Sequence, residues 1–437
     1  MRNKLNLILS SVGTLALLVA LLLAPAHVAM AEGLSSFFSP PNVAMPFVSV
    51  GGFEVVASNL DNPRSMVFGA NGALYIAEAG RGGDGTCIDG AEGTVCYGAS
   101  GAVTRVLNGK QERVANGLPS LAGQDGTSAT GPHDVAFDAN GTLHVLIGLG
   151  LNPTARDTLG EVGADFGQLV SISESGEATN VVDVAAIEAS DNPDRRVVDS
   201  NPFGLLPFSD GFVATDAGGN TLLQISSSGT FGRSAMGGMV SVLTVFPTRS
   251  VEFPPASGTE ISMEAVPTGV VEGPDGAIYV GQLTGFPFPV GGARVYRILP
   301  GQEPEIYADG FTNILDIAFD RDGNLYVLEF ATNGLLSGDS TGALIRVAPD
   351  GSRKTIASQG LTNPSGMTVG PDDMIYIANI ARAAGSGQVI RINPNEPTAV
   401  SLNSLHAGAL QKVAVGTLAL LTLTLSTGLL LLWRRQR

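Results

Sequence analysis

Four histidines stand among the 437 residues, and two of them, His133 and His144, lie between residues 32 and 394. His133 sits in Gly131-Pro132-His133-Asp134. A carboxylate beside an imidazole can orient it or raise its pKa, which suits general acid–base work, although a lone histidine also serves as a structural group. Carboxylates and amides are placed more regularly. Glu78, Asp216, Gln282, Glu329 and Asn379 each end a short apolar run; Asn62, Asn201, Thr268, Asn313 and Asn363, with His133-Asp134, each open one. Such side chains are hard oxygen donors, suited to Ca²⁺ rather than Zn²⁺, with Glu78, Asp216 and Glu329 as the expected ligands. The competing role for them is to satisfy backbone groups in turns. Cys87 and Cys96, the two cysteines, are close enough in sequence to form a disulfide across one loop.

Other matches are dismissed on context. Gly338-Asp339-Ser340-Thr341-Gly342 has the G-x-S-x-G spacing but falls between two strands, where a nucleophile elbow needs a strand followed by a helix. Asp320-Arg321-Asp322-Gly323 resembles the start of a calcium loop yet reads as a hairpin turn. No P-loop, zinc-type Cys/His spacing or dinucleotide fingerprint occurs.

These residues are positioned by a repeat. Its unit is a short apolar strand, a D/N/P-x-G turn and a strand of the form G-x-L-Y-V, as in Asp316-Ile317-Ala318-Phe319 followed by Gly323-Asn324-Leu325-Tyr326-Val327. Copies begin near Ser65, Asp134, Phe203, Gly269, Asp316 and Gly366. A third strand follows each copy, such as Gly387-Gln388-Val389-Ile390-Arg391-Ile392, and a fourth follows in the first five. Alternating apolar runs broken by Gly, Asn and Asp predict antiparallel strands, and four per unit repeated radially predict propeller blades. The sixth unit lacks its fourth strand. Phe53-Glu54-Val55-Val56-Ala57-Ser58-Asn59-Leu60 matches the fourth-strand pattern and is expected to complete it, closing a six-bladed all-β ring over 53–394. The opening and closing residues above then share one face around the axial channel, the expected ligand site. Long loops there, 79–100 and Leu283-Thr284-Gly285-Phe286-Pro287-Phe288-Pro289-Val290, either carry function or pack down on the blades.

The ends are legible too. Arg2 and Lys4, an apolar run to Ala24 and Ala29-Met30-Ala31 make residues 1–31 a secretory signal, followed by a segment 32–52. Residues 413–433 carry no charge and are about long enough to span a bilayer; Arg434, Arg435 and Arg437 place the 434–437 tail in the cytoplasm. A stalk, 395–412, joins this anchor to a domain held outside, where a disulfide persists. A net charge of −16 argues against nucleic-acid partners.

The repeat resembles NHL-type propellers. With Asn62-Pro63-Arg64, Ala77-Glu78-Ala79-Gly80-Arg81-Gly82-Gly83, Gly131-Pro132-His133-Asp134, Asp199-Ser200-Asn201-Pro202 and Gly281 to Pro289, the chain resembles the ScyD/ScyE family over residues 53–395. That resemblance implies a six-bladed propeller and no defined reaction. The functional expectation is a monomeric, membrane-anchored module binding a small molecule, glycan or protein. The alternative is an extracytoplasmic enzyme, either a Ca²⁺-dependent lactonase-type hydrolase or a quinone-dependent sugar dehydrogenase.

Overall fold

The computed structural model describes residues 49–50, 53–90, 93–226 and 240–396. The signal, the membrane segment, the basic tail and nearly all of the stalk and 32–52 segment lie outside them. Among the described residues no helix is long and apolar enough to cross a membrane.

Six antiparallel sheets follow one another along the chain. Each innermost strand pairs with the second, the second with the third, and the third with an outer strand. In blade 4 these are Pro267–Glu272, Ile278–Gln282, Ala293–Ile298 and Glu305–Phe311. Blade 6 takes its outer strand from the N-terminal side: Phe53–Leu60 pairs with Gly387–Ile392, Glu54 opposite Arg391 and Leu60 opposite Gly387. The ring closes as the repeat predicts. Because Glu54 and Arg391 are partners, the strand that begins the ring and the strand that ends it both reach the end of blade 6 where its first and second strands turn, opposite the channel mouth.

Burial explains why the second strands read as unbroken apolar runs. Side chains alternate between the two faces of a strand, and here both faces are covered. In Leu74–Glu78, Leu74 and Ile76 face blade 6 while Tyr75 and Ala77 face blade 2. Six hydrophobic clusters each span one blade–blade interface, so the core is a ring of six layers. At the turn end, aspartates clasp the blades. Asp275 accepts from Tyr279 Oη and Arg297 Nε at 3.3 and 2.8 Å, and Asp372 accepts from Tyr376 and Arg391 at 3.0 and 2.6 Å.

Two additions exceed the repeat. Blade 1's third strand, Gly93–Leu107, is 15 residues long and pairs with Cys87–Gly90 and Lys110–Ala122. Cys87 and Cys96 face each other across that hairpin and form the disulfide, with Cα atoms 3.9 Å apart. A further hairpin, Arg249–Glu252 with Glu260–Met263, stands between blades 3 and 4.

Candidate functional site

The innermost strand starts with a proline in four blades, and in blade 6 Pro364 stands just before it; the second residue of each blade's entry, Thr268 apart, lines the axial cavity. Proline has no N–H to donate, which suits a strand's first residue. The second residues are Arg64, His133, Phe203, Thr268, Leu315 and Ser365, and the third are Ser65, Asp134, Gly204, Gly269, Asp316 and Gly366. All but Thr268 of the first layer line a cavity of about 200 Å³ at the channel mouth. Thr268 is turned into the wall, donating to the Ile314 carbonyl at 2.9 Å.

One side of this cavity is apolar. Leu315, Phe330 and Ala331 form a hydrophobic cluster with Phe203, Leu283 and Leu335 packed on it. The other side is polar and basic: Arg64, Ser128, Thr130, His133, Ser365 and Arg382. Arg64 is braced on the Ala381 and Ala129 carbonyls, both at 2.6 Å. Arg382 donates from Nε to Ser128 Oγ at 2.9 Å. His133 Nδ1 lies 2.9 Å from the Pro202 carbonyl, which only accepts, so this nitrogen carries the proton and Nε2 is left as an acceptor. Burial, with Arg64 nearby, pushes the His133 pKa down to about 3, so the ring is neutral at physiological pH. Its ring centroid lies 5.2 Å from that of Phe203.

Below lies a floor. Asp134 Oδ2 accepts the Leu205 N–H and Asp316 Oδ2 the Met367 N–H, each at 2.7 Å from the next blade. Blades 2 and 5 stand opposite each other in a six-membered ring, so two carboxyls brace the channel from both sides. Burial raises Asp134 to about 7 and Asp316, which also feels Asp134, to about 8. The space left at this level, about 10 Å³, is at the limit for one water. The cavity is therefore a blind pocket.

The rim residues expected around the axis have another task. Glu78 accepts from Asp61 N–H at 2.7 Å, Thr104 Oγ1 at 2.5 Å and Arg113 at 3.0 and 2.7 Å. Asp216 accepts from Ser200 Oγ at 2.6 Å and from the N–H groups of Asn201, Gly218 and Gly219. Glu329 takes Thr312 N–H and Asn379 takes Thr362 N–H, both at 2.7 Å. Gln282 accepts from Arg249 at 3.2 Å. Thus in blades 1, 3, 5 and 6 the last side chain of the second strand staples the segment entering the first. Asn62, Asn313 and Asn363 adopt positive φ of 49°, 48° and 40°, a conformation asparagine tolerates in turns. Asn62 also bridges the Gly80 and Gly126 carbonyls at 2.8 Å, and Asn313 reaches the Leu283 carbonyl at 3.0 Å.

Of the expected channel-mouth set, His133 and Asn201 line the cavity and Asp134 forms its floor. Asn62, Glu78, Asp216, Gln282, Asn313, Glu329, Asn363 and Asn379 are not among its lining residues. Glu78, Asp216 and Glu329 end the second strands of blades 1, 3 and 5 and are not gathered into one calcium site. Among the described residues no group of three His, Cys, Asp or Glu stands ready to hold a metal ion. The residues that do form the walls, chiefly Arg64, Phe203, Leu315, Phe330, Leu335 and Arg382, escaped sequence reasoning. One signal was present: the position after each strand-opening proline varies freely while its neighbours repeat.

No family model and no curated protein matches this chain. Among solved structures it is similar to a catalytically inactive virginiamycin B lyase from Staphylococcus aureus determined with quinupristin. Identity is 13%, with 80% of this chain and 98% of that one covered and a TM-score of 0.41. It is also similar to a gluconolactonase from Xanthomonas campestris (13% identity, 78% and 89% covered, TM-score 0.43). A calcium-binding regucalcin from Agrobacterium tumefaciens gives 12%, 80% and 94%, and 0.41. Likenesses this distant carry no chemistry across to this chain.

Proposed function

We propose that this protein is a binding module of the ScyD/ScyE kind that takes a small amphipathic molecule, with an apolar body and an anionic end, into the mouth of the propeller. The observation that carries the reading is the two-sided pocket. An apolar wall of Leu315, Phe330, Phe203, Leu283 and Leu335 faces Arg64, Arg382 and a row of hydroxyls, over a floor narrowed to about the size of one water. Ligand sites are mostly apolar concavities with a few placed polar groups, and guanidinium groups favour carboxylates and related anions. Catalysis is no part of the reading. His133 is held neutral with a depressed pKa and is a poor base, and the rim carboxylates are engaged as staples.

The setting we propose is extracytoplasmic: a monomer exported by residues 1–31 and anchored by 413–433. The Cys87–Cys96 disulfide supports an oxidising compartment.

The test uses 8-anilino-1-naphthalenesulfonate, an aromatic anion that fluoresces in apolar sites. Saturable one-to-one binding is expected, weakened roughly tenfold by Arg382→Ala and by Leu335→Asp, each loss being about 1.4 kcal/mol. Equal binding by the parent and both variants would place the dye elsewhere and end the proposal.

A further inference from the structure

Away from the pocket, the connection from blade 2 to blade 3 collects acids from several elements. Glu188 belongs to the short helix Ala186–Asp191, Asp194 and Asp199 to the segment after it, and Asp216 ends the strand Gly211–Asp216. Glu264 follows the extra hairpin. Glu188 is 1% exposed, yet its Oε1 has no hydrogen-bond partner, and neither has Asp199 Oδ1.

Gly219 shows where these groups point. A Cβ added there would lie 2.9 Å from Glu188 Oε2 and 3.4 Å from Asp216 Oδ2, so both carboxylates border one gap that the glycine keeps open. A Cβ on Gly218 would meet the Asp199 backbone 2.9 Å away, which brings the third acid's segment to the same turn. Two bases, Arg195 and Arg196, line the cavity beside these acids, and Arg196 pairs with Glu264 at 3.7 Å and donates to Ser262 Oγ at 2.8 Å. Asp194 is held by Asn220 Nδ2 at 2.8 Å and, with Glu264 and Arg196, borders an open cavity beside the cluster. Burial and mutual repulsion raise Glu188 to about 7 and Asp199 to about 6, and burial raises Asp216 as well. Buried carboxylate oxygens without partners are costly and call for a compensating charge.

We infer that Glu188, Asp199 and Asp216 form a divalent-cation site of the calcium class, entered from the side where Asp194 lies. Calcium accepts six to eight oxygens in flexible geometry, which suits acids contributed by a helix, a loop and a strand end. No three of these acids already stand at ligating distances. Binding therefore swings the Glu188 and Asp199 side chains toward the Gly219 gap. This site is distinct from the axial pocket and uses neither Glu78 nor Glu329.

The full-length protein, stripped with EDTA, should bind about one Ca²⁺ per chain by isothermal titration. Its Tm should rise by about 3–6 °C in excess calcium. Glu188→Gln should lose the calcium shift while melting at or above the parent in EDTA, because one buried charge is gone. Asp199→Asn, at a less buried position, should lose it too, whereas the exposed-loop variant Asp339→Asn should keep it. The inference fails if no calcium binds, or if both cluster variants retain the shift. It fails equally if lowering the pH to 5.5 stabilises the protein while calcium does nothing, for then protons alone satisfy these acids.

Discussion

Asp134 and Asp316 are the residues whose protonation the fold controls most directly. Both are buried on innermost strands, both receive two backbone N–H groups, and both have raised pKa values, about 7 and about 8. A carboxyl whose folded pKa lies above its unfolded value contributes stability that is complete at low pH and lost as pH rises through the folded pKa. Stability should therefore decline between pH 5.5 and 8.5. His133 opposes this only below its unfolded pKa, as the unfolded ring begins to bind protons. Asp316→Asn should flatten the slope, lowering the dependence of the denaturation midpoint on pH by at least ~1 kcal/mol across that range. A denaturation series at four pH values decides this, and an unchanged slope refutes the assignment. The sequence showed Asp134 beside His133 and offered the histidine as a candidate acid–base group, with a structural role as the alternative. In the fold their partners diverge, His133 to Pro202 and Asp134 to Leu205. Only the pairing of neighbouring innermost strands reveals this, and adjacency along one strand says nothing of it.

At the level of elements, the stapling of a second strand's end to the segment entering the first strand of the same blade recurs in four blades. Blade 1 carries the strongest version, where Glu78 is fully buried and Arg113, 36% exposed, covers it. Removing a buried acid's partner leaves an uncompensated charge and costs about 3–5 kcal/mol. With the arginine partly in water, Arg113→Ala should cost about 2–3 kcal/mol, read by chemical denaturation. Arg297→Ala, in a clasp at the opposite end whose acid Asp275 is exposed, should shift the denaturation midpoint far less. Equal losses at the two sites would mean that the stapling is not what distinguishes them. The strands themselves were legible because the D-x-G turn and the alternating apolar run recur with little change. The hairpin Arg249–Glu252 and Glu260–Met263 was not legible: its strands are short and largely polar, and Pro254-Pro255 replaces the turn signature. Of the long strand Gly93–Leu107, residues 101–106 were legible as a third strand, whereas Gly93 and Gly98 made its first part read as loop.

For the whole molecule, closure rests on one N-terminal strand. Phe53 packs in the layer between blades 5 and 6, while Ala57 and Leu60 pack in the layer between blades 6 and 1. Starting the chain at Asp61 should therefore damage two interfaces together and lower the Tm by roughly 10 °C or more, or leave no soluble protein. Starting it at Phe53 should change the Tm little; similar melting of both truncations would show that closure is not what holds the ring. The ring was readable from six copies of a local pattern and one displaced strand. The pocket was not, because its walls come from residues hundreds of positions apart, such as Arg64, Phe203 and Arg382. The shared exit of the two ends of the ring at blade 6 has a mechanical consequence. A pull that separates those ends loads the pair Glu54 and Arg391 first and then opens the Phe53–Leu60 and Gly387–Ile392 ladder one rung at a time. That is unzipping, which needs far less force than shearing all rungs at once. Under tension the seam is the point where the ring yields, with the pocket at the opposite end of the blade.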